Sequence, residues 1–250
     1  MIIKEFGKEN EKVIMLLHGG GLSWWCFKDV AMLLKAEYHI VIPILDGHSD
    51  SDRSFISIED NAQEIIDFIN QNYGGKIFML AGLSLGGQIL LEILSNKPDI
   101  CSYAIVESTL VYPMKTTYKL IEPAYKLCYN LIKKRWFSKL QFDSLKIKEK
   151  LFGDYYTDTC KISKADLIAI LKSNSDYSLK HTISNTNARV LVIAGDKERK
   201  IMISSARKIH NAIPKSELKL LKGYTHGELS INRAEEYVQI INDLSKKGEH

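Results

Sequence analysis

One serine in this chain sits in a setting suited to covalent chemistry. Gly82-Leu83-Ser84-Leu85-Gly86-Gly87 directly follows the apolar run Ile77-Phe78-Met79-Leu80-Ala81 and opens a helical pattern that reaches Leu94. A serine on so sharp a strand-to-helix turn has strained backbone angles, and its neighbours must be small. Glycine on both flanks meets that need. The turn also sets the hydroxyl at a helix N-terminus, where the dipole favours developing negative charge. His18-Gly19-Gly20-Gly21 follows a second apolar run, Val13 to Leu17. Attack on a carbonyl builds charge on its oxygen. Fixed backbone N–H groups stabilise that charge, and losing one such donor costs roughly 3 kcal/mol. Gly20, with Gly21 beside it, and Leu85 are the candidate donors.

A serine hydroxyl needs a neighbouring base to become a nucleophile. Among seven histidines, His226 is the candidate. It lies in the polar loop Lys222-Gly223-Tyr224-Thr225-His226-Gly227-Glu228, between the apolar-polar strand Glu217 to Leu221 and the last helical pattern. A neutral imidazole there can take the serine proton and return it to a leaving group. His18 is placed to brace the glycine loop, and His48, in Asp46-Gly47-His48-Ser49, to order a turn. His39, His181, His210 and His250 have no motif around them. Three carboxylates are candidates to orient the imidazole: Asp196 and Glu198 in Gly195-Asp196-Lys197-Glu198, and Glu107 just past an earlier strand. Gly21 and Trp24 are candidate substrate contacts. Trp24 and Trp25 together suit either an acyl-pocket wall or core.

The elements that must hold these residues are legible as a pattern. Val13–Leu17, His39–Ile42, Ile77–Ala81, Tyr103–Val106 and Val190–Ala194 are short continuous apolar runs, rich in β-branched residues. Such runs read as strands buried on both faces. Helical patterns alternate with them: Ser23 to Lys35, Ile58 to Tyr73 with Asp60 as its N-cap, Leu85 to Leu94, Ser204 to Ala212, and Arg233 to Leu244. The alternation predicts an α/β fold, a mostly parallel sheet flanked by helices. It stops between about Thr109 and Thr186, where the pattern is helical and Tyr118, Tyr125, Tyr129, Trp136 and Phe137 are interspersed with Leu and Ile. An insertion there is expected over the carboxyl ends of the strands, where open α/β sheets bind ligands.

The chain has 250 residues, 45% hydrophobic and 26% charged, which suits one soluble globular domain. A net charge of +4 is too weak to argue for nucleic acid. The basic cluster Lys133-Lys134-Arg135 beside Trp136 and Phe137 reads first as a solvated helix face; the sharper alternative is contact with a membrane surface. Cys26, Cys101, Cys128 and Cys160 form no CxxC pair and no zinc-like spacing with histidine. Scattered cysteines, an N-terminus without an apolar core and no long apolar run lead to the expectation of a cytoplasmic protein without membrane insertion.

His18-Gly19-Gly20-Gly21, the Ser84 turn, Gly195-Asp196-Lys197-Glu198 and Gly223-Tyr224-Thr225-His226-Gly227-Glu228 together resemble the α/β-hydrolase superfamily, in its small capped esterase and lipase-like branch. Asp46-Gly47-His48-Ser49 looks like a shortened form of the family's Asp-x-x-Gly-His-Gly-x-Ser loop. The likeness runs from Val13 to the last helix and is weakest in the insertion. It implies Ser84 as nucleophile, His226 as base, and the amides of Gly20 and Leu85 as oxyanion hole. The family's Gly-x-x-Asp pattern falls on Glu198, a glutamate in place of the commoner aspartate. The resemblance also implies a core of residues 1–108 and 187–250 and a helical cap over 109–186. The expected reaction is hydrolysis of small to medium acyl or aromatic esters through an acyl-enzyme, with no metal or organic cofactor. Thioesterase, acyltransferase, C–C hydrolase or lyase chemistry on the same fold is the alternative, as is a ligand-binding module with little turnover. A small-molecule ester is the expected partner; oligomeric state is not legible.

Overall fold

β-Branched runs too short for helices become strands here because both faces of the sheet are covered. In the computed structural model, which describes residues 1–246, these strands are β1 (Ile3–Phe6), β2 (Val13–Leu17), β3 (His39–Pro43), β4 (Ile77–Leu83), β5 (Cys101–Glu107), β6 (Arg189–Gly195) and β7 (Ser216–Leu221). They form one sheet in the order β1-β3-β2-β4-β5-β6-β7. Only β1 runs antiparallel, on the edge against β3. Side chains alternate between two cores. Val13, Met15 and Leu17 of β2 join one, Ile14 and Leu16 the other. Val190, Val192 and Ala194 of β6 divide from Leu191 and Ile193 in the same way.

The helices are α1 (Lys28–Leu34), α2 (Ile58–Tyr73), α3 (Leu85–Asn96), α4 (Lys115–Ile132), α5 (Arg135–Ser144), α6 (Phe152–Lys161), α7 (Lys164–Asp176), α8 (Lys200–Ala212), α9 (Glu228–Asn232) and α10 (Ala234–Lys246). Helices α2, α3 and α8 cover one face of the sheet, through residues such as Ile65, Ile89 and Ile209. Helices α1 and α10 cover the other, through Val30, Ile240 and Leu244. Helix α2 has its expected span, but its cap lies three residues before the expected Asp60. Ser57 Oγ accepts the amide of Asp60 at 3.0 Å, so Ser57 is the N-cap and Asp60 lies in the first turn. The segment after Ser23 enters α1 through a short 3₁₀ turn, Trp24–Phe27. His250 and the end of the expected core segment 187–250 lie outside the described residues.

After β2 the chain goes outward to β3, then returns across β2 to form β4 on its other side. That reversal opens a crevice at the carboxyl ends of β2 and β4, the usual ligand site of such sheets. The register Leu17↔Gly82 sets the ends of these two strands level. Helices α4 to α7 all fall between β5 and β6. Specific polar contacts tie them down. Gln88 Nε2 donates to Leu110 O (2.9 Å) and Asn174 O (3.0 Å), and Trp25 Nε1 donates to Asp158 Oδ2 (2.9 Å).

Candidate active site

The turn at Ser84 is held by close backbone contacts. Ser84 adopts φ 53°, ψ −109°, a region a side chain occupies only when its surroundings force it. A Cβ on Gly82 would lie 2.3 Å from the carbonyl oxygen of Gly86, and one on Gly86 would lie 2.1 Å from that of Leu17. Only glycine lets the first turn of α3 press this tightly on β2 and β4. The amide of Ser84 donates to Glu107 O at 2.9 Å, which pins the turn to the end of β5.

His226 reaches this serine from the loop after β7. Its Nε2 lies 3.1 Å from Ser84 Oγ, and its Nδ1 lies 2.8 Å from Glu198 Oε2. An ionised carboxylate only accepts, so Nδ1 carries the proton and Nε2 presents its lone pair to the serine hydroxyl. A hydroxyl so placed can pass its proton to the imidazole as the oxygen attacks an electrophile. The Glu198 side chain is fully buried, whereas that of His226 is 43% exposed. Burial pushes the Glu198 carboxyl up, but hydrogen bonds from His226, the Gly195 amide and Ser108, together with the charge His226 can carry, outweigh it and leave the group below the ordinary carboxylate range.

Of the three carboxylates, then, Glu198 meets the imidazole. Asp196 is exposed and accepts the amide of Gly223 through Oδ1 at 2.7 Å, stitching its own loop to the one that bears His226. Glu107 lies beneath the site. Its Oε1 accepts the amide of Ser230 at 3.3 Å, and burial raises its carboxyl to about 7.

The glycine loop faces the same point. A Cβ on Gly20 would lie 3.7 Å from Leu85 Cβ, so the two expected donors are neighbours. Among the described residues neither the Gly20 nor the Leu85 amide makes a hydrogen bond. His18 holds this loop from behind. It is fully buried, its Nδ1 donates to Gly19 O (3.0 Å), and its Nε2 accepts the amide of Leu45 (3.1 Å). Burial, with His48 nearby, lowers it to about 3, so it stays neutral and keeps both bonds. The His48 ring stands edge-on to it, and His48 Nδ1 donates to Asp46 O at 2.9 Å, ordering the turn.

A small cavity of about 80 Å³ sits over these groups, lined by Gly19, Gly20, Leu22, Leu83, Ser84, Leu145, Ile147, His226, Gly227 and Ile231. Gly21 and Trp24, expected beside the substrate, do not line it. Gly21 turns outward with φ 73° and open space beside it. Trp24 packs instead on Phe6 of β1, with Lys4 and Lys28 over its ring. Trp25 is core, its indole spent on Asp158. The apolar wall comes from residues with no motif: Leu22, Ile231, and Leu145 and Ile147 from the segment after α5.

One further residue escaped the reading of the sequence. Ser108 Oγ donates to Glu198 Oε1 at 2.8 Å and accepts the amide of Gly227 at 3.2 Å. It fixes the acid and the histidine loop at once. Like Ser84, it follows a strand directly and has positive φ, 51°. A polar residue immediately past the end of a central strand was the available signal.

Comparison with known proteins bears on the family and the fold. The family model described as serine aminopeptidase, S33, matches residues 8–230. An uncharacterized hydrolase of Bacillus subtilis (strain 168), YugF, is 24% identical over 254 residues, covering 96% of this chain and 90% of that protein. Bromoperoxidase from Bacillus anthracis superposes with a TM-score of 0.82 at 17% identity, covering 98% of this chain and 94% of the other. An esterase from Exiguobacterium antarcticum does so with a TM-score of 0.81 at 18% identity, covering 97% and 94%. At these identities the structural likenesses establish a shared fold.

Proposed function

The chain belongs to the serine aminopeptidase S33 family of α/β-hydrolases, and from that premise we propose that it hydrolyses carboxylic esters of small to medium acyl or aromatic groups through an acyl-enzyme on Ser84. Ser84 Oγ attacks the ester carbonyl while its proton passes to His226 Nε2. The oxyanion is held by the amides of Gly20 and Leu85. Collapse expels the alcohol, which takes the proton from the imidazole. A water molecule then repeats the sequence on the acyl-enzyme, releasing the acid and restoring the serine. Glu198 keeps the imidazole in the tautomer that accepts and steadies the imidazolium. All the groups these steps require are supplied by protein. In the same reading, residues 1–108 and those from 187 onward form the catalytic core, and 109–186 a cap that shapes the acyl site.

What carries this reading is the line from hydroxyl to imidazole to carboxylate, 3.1 and 2.8 Å, ending in a cavity with an apolar wall. The family's description suggests a second reading, removal of N-terminal residues from peptides. Holding an α-ammonium calls for an acidic or carbonyl-rich subsite, and the cavity lining contains no carboxylate. The ester reading is therefore preferred. Steady-state assays on p-nitrophenyl esters of graded acyl length, acyl-CoA thioesters and aminoacyl anilides test it. Saturable turnover with the highest kcat/KM on an ester is expected. Turnover confined to thioesters or anilides would overturn it.

A further inference from the structure

Helix α4 has two apolar stripes on opposite sides, and among the described residues only one is covered. Tyr118, Ile121, Tyr125, Tyr129 and Ile132 turn inward, half-buried or buried, and α7 packs beside them. Leu120, Leu127 and Leu131, at spacings of seven and four, share the outward face. They are 60%, 90% and 41% exposed. The next helix repeats the arrangement. Ser138 and Phe142 of α5 are buried, while Trp136 and Leu140 on its far side are 61% and 62% exposed. An isolated exposed leucine needs no explanation, but a row of leucines ending in a tryptophan, on consecutive helices, marks an interaction surface.

Charge selects the occupant. Between Lys115 and Leu140 there are seven basic residues and one acidic residue, so this segment carries more positive charge than the whole chain's net +4. The one acid, Glu122, is already paired with Lys126 and Lys172. Lys119 and Lys126 flank the leucine row along one side of α4, Lys133 and Lys134 fill the turn to α5, and Arg135, the first residue of α5, lies over the rings of Phe152 and Tyr156. A polypeptide partner would need an apolar patch and a dense acidic rim together. An anionic bilayer offers both as its ordinary structure, with headgroups for the lysines and acyl chains for the leucines and indole. The segment then leads to the catalytic cavity: after Trp136 and Leu140, Leu145 forms part of the wall above Ser84. No helix among the described residues is long and apolar enough to cross a membrane, so contact would be lateral.

We propose that the outward face of α4 and α5, centred on Leu127 and Trp136, docks on an anionic lipid bilayer. The surface stands apart from the identity of the ester cleaved, and its test is read without turnover. The full chain is sedimented with vesicles of phosphatidylcholine alone and with roughly one third phosphatidylglycerol. Binding to the anionic vesicles only, weakening as salt rises, is expected. Each basic side chain at an anionic surface is worth about fivefold in partitioning, so Lys133→Glu with Lys134→Glu should weaken binding by at least about 25-fold. Leu127→Gln should weaken it about tenfold and leave hydrolysis of a soluble short ester unchanged. Absence of binding by the folded wild-type chain, equal binding to neutral vesicles, or binding unaltered by these substitutions would overturn the proposal. So would a dimer in light scattering that Leu127→Gln dissolves, which would assign the face to a second copy.

Discussion

The loops at the carboxyl edge of the sheet and the helices inserted after β5 obey different physical demands. Beside Ser84, the acid is held from several sides: the two oxygens of Glu198 take His226, Ser108 and the amide of Gly195. Two residues there keep positive φ without being glycine, and glycines pack where no Cβ fits. In the insertion, α5 buries only Ser138 and Phe142, and Leu127 of α4 is almost wholly exposed. Proton transfer tolerates errors of only tenths of an ångström, so the first region is over-determined. The insertion lends the cavity only the apolar side chains of Leu145 and Ile147, a contribution that demands volume and apolarity rather than exact placement. Substitutions should therefore be costly in one region and mild in the other.

The largest expected effect is on turnover. Glu198→Gln should lower kcat on the order of 10³- to 10⁴-fold through loss of imidazole orientation, with the fold intact by circular dichroism. Asp196→Asn, two residues away on the same loop, should change kcat by only a few-fold. If their effects in steady-state kinetics are reversed, the assignment of the acid is wrong.

Glu107 sharpens the contrast through stability. Its folded-state carboxyl stands at about 7, raised by burial from the ordinary 4.5. Between those values the unfolded chain gives up a proton that the folded chain keeps, so stability declines as pH rises through the window. The deficit is complete above about pH 7 and amounts to about 3 kcal/mol. Glu107→Gln should recover up to that amount at about pH 8 and little at about pH 4, measured by urea unfolding. A variant stabilised equally at both values would contradict this.

Smaller effects follow at the margins. Ser108→Ala leaves the Gly227 amide without a partner and removes one of the two donors to Glu198 Oε1, the Gly195 amide remaining. It should cost about 1–3 kcal/mol of stability and about tenfold in kcat, with KM little changed. Leu145→Ala, in the wall contributed by the insertion, should leave the melting temperature nearly unchanged. It should shift the kcat/KM ratio of long to short acyl esters by about tenfold. Equal loss on every ester would place Leu145 in the chemistry and blur the distinction between the regions.

What could be foreseen from the sequence divides along the same line. The strands, the Ser84 turn and the His226 loop were legible because they depend on local rules: short β-branched runs, and glycine where backbones touch. Glu198 stood out from Asp196 only through the resemblance, since nothing local distinguishes two carboxylates on one turn. Ser108 was not legible, because its role is set by hydrogen bonds to residues 90 and 119 positions away. The span of α2, Ile58 to Tyr73, is legible in its apolar spacing, but its cap is not: Asp60 and Ser57 both suit the role, and the hydrogen bond from the Asp60 amide to Ser57 Oγ assigns it to Ser57. In α4, one apolar stripe of tyrosines and one of leucines made the inward face unreadable. Trp24 was misplaced because neighbouring tryptophans point to different sides of the chain, one to core and one to an edge strand.

The central claim is that Ser84 is an activated nucleophile. Incubation with a fluorophosphonate, followed by intact-mass and peptide mapping, tests it most directly. One adduct, located on Ser84, absent in Ser84→Ala and formed far more slowly in His226→Ala, is the expected result. A folded wild-type chain that takes no label, or takes it on another serine such as Ser108, would contradict the account.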